Sequence, residues 1–165
     1  PKALYPIPYP FIANFNSRPD LDRAVILAIA RQESEMNPRA VSASGAHGFM
    51  QIMPSTARQT AQKLNLDYEK GRLTSDIEYN ILLGSTYFQE LLKRYQGSYV
   101  IALAAYNAGP KRVNRWLRKY GDPRIENLDE VDWIERLPYA ETRNYIQRVL
   151  EGRVVYRYFL RNNVE

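Results

Sequence analysis

The chain has 165 residues, 45% hydrophobic and 25% charged, the balance of one compact domain with a sizeable core rather than of a disordered or fibrous chain. It contains no cysteine, which excludes disulfides and thiolate chemistry, and no apolar run approaches the ~18 residues a membrane helix needs. A formal net charge of +5 favours polyanionic surroundings, but does not choose among nucleic acid, anionic membrane and acidic polymer.

The chain begins at Pro1 rather than Met and shows no leader pattern, which reads as a piece of something longer. Pro1, Pro6, Pro8, Pro10 and Pro19 are interspersed with aromatic residues. Proline at this density blocks both helix and central strand. Residues 1–19 are therefore expected to form an extended arm pinned by its rings, with 20–165 as the domain. Helical periodicity starts at residue 20 and runs to 37, where Pro38 predicts a stop. Residues 39–54 are small and contain Gly45 and Gly48, a loop. Pro54-Ser55-Thr56 opens a second helix to about residue 66. Ser75-Asp76 starts a long helix ending near Tyr95, before Gln96-Gly97-Ser98. A short apolar helix over 99–108 closes at Gly109-Pro110. A basic helix over 111–120 closes at Gly121, 129–136 holds one turn or two, and a last helix runs from about 139 to 161. No alternating strand pattern and no internal repeat is present, so the fold class is all-α.

The first helix carries an anomaly. Ile26, Ile29 and Ala30 share a face on which Glu33 also falls, at i+7 from Ile26 and i+4 from Ile29. Burial and the negative end of the helix dipole both disfavour the carboxylate, so both raise its pKa, as a general acid requires. The spacing alone more readily fits a Glu33 paired with Arg31, Arg39 or a later arginine, or turned to solvent. Glu35 faces elsewhere and is expected in water.

The loop Ser42-Ala43-Ser44-Gly45-Ala46-His47-Gly48-Phe49-Met50-Gln51-Ile52-Met53-Pro54 is unusually apolar. Gln51 sits among Phe49, Met50, Ile52 and Met53 with an amide that both donates and accepts. Such a segment is either a cleft wall with one polar anchor or a loop that packs under the core. His47, the only histidine, lacks partners at ligand spacing, so no metal is expected, and no cofactor motif is found.

Two later segments carry further candidates. Ala105-Tyr106-Asn107-Ala108-Gly109-Pro110 reads as a helix end, which accounts for Gly109 and Pro110 but not for Tyr106 and Asn107. Glu141 and Tyr145 lie one turn apart on the last helix, where Tyr145 begins an apolar stripe through Val149 and Tyr156, a pattern that a core helix with an incidental Glu also explains. Thirteen tyrosines suit a cleft for amphipathic ligands such as sugars, although partly exposed helix faces account for most of them. Lys111, Arg112, Arg115, Arg118 and Lys119 crowd one short helix. That cluster reads as a solvated basic face drawn to anionic polymer, and nucleic acid is not expected as a partner.

In order, Glu33-Ser34, the Ser42 to Ala57 segment, Ala105-Tyr106-Asn107-Ala108-Gly109 and Glu141-Thr142-Arg143-Asn144-Tyr145 closely resemble the catalytic domain of the soluble lytic transglycosylases, relatives of goose-type lysozyme. The resemblance runs from about residue 20 to 158. Any one motif is weak, whereas four in order are strong. Phe49 departs from the family's usual Leu but keeps an apolar contact. The resemblance implies a lysozyme-like helical domain with a glycan-binding cleft and Glu33 as the catalytic residue. It also implies that Ser42, Met50, Gln51, Met53, Tyr106, Asn107, Glu141 and Tyr145 line or support that cleft. It further implies peptidoglycan glycan strands as partner, a periplasmic location and a helical region preceding this domain in a longer chain.

Most glycoside hydrolases use two carboxylates, and the sequence near Glu33 shows no second candidate. The expectation is cleavage of the bond between N-acetylmuramic acid and N-acetylglucosamine with formation of 1,6-anhydro ends, Glu33 acting first as acid and then as base. The alternatives are a hydrolase of the goose-type lysozyme kind, with water as acceptor, and a non-catalytic wall-binding module.

Overall fold

A computed structural model describes residues 5–6, 21–126 and 128–162. Eight helices are found among them: α1 (Arg23–Ser34), α2 (Pro54–Lys63), α3 (Arg72–Ser75), α4 (Ile77–Arg94), α5 (Tyr99–Ala108), α6 (Pro110–Tyr120), α7 (Glu130–Glu135) and α8 (Ala140–Asn162). The described residues contain no strand beyond two isolated bridges, Val41 with His47 and His47 with Ile52. The all-α expectation is borne out. The chain forms two compact units, Pro1–Tyr87 with Glu151–Glu165, and Phe88–Leu150. The predicted arm lies outside the described residues, Tyr5 and Pro6 excepted, as does residue 20.

In the first unit α1 is buried along 24–30, every residue there at most 3% exposed. A helix apolar all round must be enclosed on all faces, so the one-sided stripe expected from Ile26, Ile29 and Ala30 understates its burial. It starts at Arg23, later than periodicity suggests, because Asp22 is its N-cap: its side chain accepts from Ala24 N–H at 3.1 Å. Asp22 also pairs with Arg153 (2.7 Å) and Arg157 (3.0 Å) of α8. Gly152 lets α8 approach closely, since a Cβ there would stand 3.2 Å from that of Ala28. Tyr156 is wholly buried. It meets the Tyr5 ring edge-on at 5.4 Å and donates to Pro6 O at 3.2 Å. Burial pushes its phenol pKa far up.

A second cluster of the same unit joins Ile52, Ala57, Ala61, Leu73, Tyr79 and Leu83. The short α3 was not expected. It is one turn ended by Asp76, which accepts from Tyr79 N–H at 3.0 Å and so starts α4 two residues beyond Ser75.

In the second unit α5 is capped by Ser98, whose Oγ accepts from Ile101 N–H, and buries residues 100–105. Pro110 does not close this helix from outside but is the first residue of α6, where a missing N–H is harmless. Val113 and Trp116 are the buried side of α6, and its arginines and lysines are exposed. Trp133 of α7, wholly buried, donates from its indole to Gly121 O at 3.0 Å.

Candidate functional site

Glu33 occupies the last turn of α1, half-buried, while Glu35 is exposed as expected. The helix stops directly after it in an unusual way. Glu35 (φ 51°) and Met36 (φ 66°) both take the left-handed conformation without being glycine, which costs on the order of 1 kcal/mol or more each. Gln51 (φ 48°) is a third. Of the five such residues among the described ones, three thus bracket this segment, Glu35 as the C-cap of α1. Ser34 connects the two parts: its Oγ, buried, donates to Phe49 O at 2.7 Å, with Ala30 O at 3.1 Å as a second acceptor.

The loop from 40 to 53 is folded on itself at His47. His47 N–H donates to Ile52 O (3.0 Å), Ile52 N–H returns to His47 O (3.2 Å), and Gly48 N–H reaches Ala40 O (2.8 Å). Phe49, Met50 and Ile52 are at most 2% exposed, so the apolar loop residues pack inward rather than forming a wall; Met53 alone among them is exposed. Met50 therefore supports the loop from within, and Met53 stands at its rim as the residue before α2. Gly48 (φ +77°) has no room for a side chain: a Cβ would stand 2.0 Å from Leu73 O.

Gln51 is 9% exposed. Its Nε2 donates to Gly48 O (2.8 Å) and Ala40 O (3.0 Å). Two carbonyl acceptors fix the amide's orientation and use both its hydrogens, so what Gln51 can offer a ligand is the acceptor Oε1. Ser42 is committed to its turn, its Oγ accepting from Ala46 N–H (3.0 Å) and lying 2.9 Å from Ser44 Oγ.

The remaining expected residues belong to the second unit. Tyr106 and Asn107 end α5, both half-buried, and Tyr106 meets Phe88 edge-on at 6.1 Å. Asn107 Oδ1 accepts from the buried Thr142 Oγ1 at 2.8 Å. Thr142 therefore ties the start of α8 to the end of α5. Sequence reasoning quoted it inside a motif without giving it a role. Glu141 and Tyr145 share a face but part in environment, Glu141 exposed and Tyr145 4% exposed. The first unit thus holds Glu33, Ser42, Met50, Gln51 and Met53, the second Tyr106, Asn107, Glu141 and Tyr145.

Residues 11–128 match the transglycosylase SLT domain. The chain is 36% identical over 158 residues to the soluble lytic murein transglycosylase of Escherichia coli K12, covering 94% of this chain and 24% of that protein. With the membrane-bound lytic murein transglycosylase C of Serratia proteamaculans it shares 29% over 168 residues, 90% of this chain and 46% of that protein. Among solved structures, an inactive mutant of the lytic transglycosylase Slt from Pseudomonas aeruginosa superposes with a TM-score of 0.84 at 36% identity, covering 95% of this chain and 25% of that one. The 70 kDa soluble lytic transglycosylase in complex with bulgecin A gives 0.86 at 35% identity, covering 96% and 25%. The chain spans about a quarter of the length of the soluble relatives it matches.

Proposed function

The chain belongs to the transglycosylase SLT domain family, and from that premise we propose that it is the catalytic domain of a lytic murein transglycosylase, acting on peptidoglycan in the periplasm. The observation that carries the reading is the junction of Glu33 with the loop: a carboxyl at the end of an enclosed helix, its neighbour Ser34 bonded to Phe49 O. Strained backbone on both sides supports the same assignment.

In this reading Glu33 protonates the oxygen linking N-acetylmuramic acid to N-acetylglucosamine, and the substrate's own acetamido carbonyl stabilises the cation that develops. Glu33, now a carboxylate, takes the proton of the muramyl C6 hydroxyl as that oxygen closes onto C1, giving a 1,6-anhydro end without consuming water. The attack is intramolecular and gains from proximity. Gln51 Oε1, the atom its own hydrogen bonds leave for a ligand, accepts from the acetamido N–H. Tyr106, Asn107, Glu141 and Tyr145 bind or support the strand, Asn107 held by Thr142. Ser42 and Met50 support the loop that presents Gln51, and Met53 contacts the sugar from its exposed rim.

Mass analysis of peptidoglycan digested by the protein tests the reaction type. Anhydro-muramyl ends are expected. Reducing ends one water heavier would replace the transglycosylase with a hydrolase.

A further inference from the structure

Two residues of α4 stand out from its buried face. Asn80 is wholly buried, and its amide makes three bonds, all to backbone outside the helix. Oδ1 accepts from Met50 N–H (2.8 Å), and Nδ2 donates to His47 O (2.9 Å) and to Leu73 O (2.9 Å). Both amide hydrogens are used, which leaves no other orientation for the group. One turn on, Gly84 lies under the Met50 side chain: a Cβ would stand 2.7 Å from Met50 Sδ and 2.8 Å from Met50 Cβ. From the loop side Gly48 closes the contact, since its missing Cβ would stand 2.3 Å from Asn80 Nδ2. A buried Asn and a Gly both weaken a helix, Gly by about 1 kcal/mol relative to Ala, and here both serve the loop rather than the helix.

We propose that Asn80 and Gly84 form a seat that sets the height of the loop backbone from His47 to Met50, making Asn80 a positioning residue for glycan cleavage. Gln51 follows directly on this seated stretch, and Phe49 O joins it to Ser34, next to Glu33. The seat therefore holds Gln51 and the end of α1 in one register. The inference rests on the roles given above to Glu33 and Gln51.

The purely structural alternative is that Asn80 stabilises the fold and nothing more. Wild type, Asn80→Ala, Gly84→Ala and, as a control on the same helix, Ile81→Ala separate the two. Turnover is measured on a soluble peptidoglycan oligosaccharide of defined length and expressed per folded molecule, with the folded fraction taken from near-UV circular dichroism and melting. Ile81 is buried and carries no hydrogen-bonding side chain, so its truncation lowers Tm and leaves kcat per folded molecule unchanged. Asn80→Ala and Gly84→Ala lose on the order of 10–100-fold in kcat, the penalty of misplacing a catalytic array by about an ångström, with KM within roughly threefold of wild type. Gly84→Ala gains helix propensity while crowding Met50, so it loses less Tm than Asn80→Ala and decides the matter if Asn80→Ala does not fold. Retention of wild-type kcat per folded molecule by either folded variant overturns the proposal. A wild-type protein that releases no anhydro-ended product refutes the proposed function instead, and the seat loses its catalytic meaning with it.

Discussion

The loop from 40 to 53 and the stretch from 121 to 129 are both irregular, yet they are held by different means. In the first, residues 48–52 are buried, five of the bonds that fix it come from side chains at most 9% exposed, and the backbone at Gly48 and Gln51 is left-handed. In the second none of the described residues is buried, and the organisers are mostly charges: Asp122 paired with Arg124, and Glu126 accepting from Asp122 N–H, beside the bond from the buried Trp133 indole to Gly121 O. A bond broken in the first strands its partner away from water, whereas water reaches the partners of a broken charge pair in the second more readily. Placement held by buried groups persists through changes of salt and pH, which suits the catalytic role proposed for this loop.

The sharpest way to break the comparison is Gly48→Ala. It adds left-handed strain to a clash with Leu73 O and Asn80 Nδ2, together roughly 2–6 kcal/mol, read as a fall in the urea midpoint with an unchanged m value. Ser34→Ala comes next. It leaves Phe49 O without its 2.7 Å donor, a loss of about 1–3 kcal/mol, and activity falls with it. Asp122→Asn, at a pair whose side chains are 14% and 22% exposed, costs about 1 kcal/mol, and the loss shrinks in part in high salt. The smallest effect is with pH. The Arg124 guanidinium holds Asp122 below the usual carboxylate range, and for Asp76 the Tyr79 N–H and Arg72 outweigh a burial that acts to raise it. A lowered folded-state pKa stabilises above the unfolded value of about 3.9 and is lost as pH falls through the folded one. The urea midpoint should therefore drop below about pH 4, and less steeply in Asp122→Asn.

Helices were legible where apolar period and punctuation agree, as for α5, whose bounds follow from Ser98 and Gly109. They were misplaced where one residue has two readings. Pro110 ends one pattern and starts the next helix, and Asp22 caps α1 where periodicity alone carries the helix back to residue 20. The four-residue α3 is too short to show a period. Of the site, Glu33 was visible as an ionisable group ending an apolar helix. The inward turn of Gln51's amide was not, because its acceptors Gly48 O and Ala40 O are backbone atoms brought near by the fold. Asn80 stayed hidden for the same reason: its partners lie 7 to 33 residues away and are all main chain. Its only trace is a polar residue one turn from a glycine within an otherwise apolar stripe of α4.

The central claim is that Glu33 carries the chemistry, and purified peptidoglycan sacculi digested by wild type and Glu33→Gln in parallel test it most directly. With the variant melting as wild type does, the account predicts anhydro-muramyl products from the wild type and a loss on the order of 10²–10⁴-fold in their release by Glu33→Gln. A folded Glu33→Gln protein that degrades sacculi at the wild-type rate would contradict it.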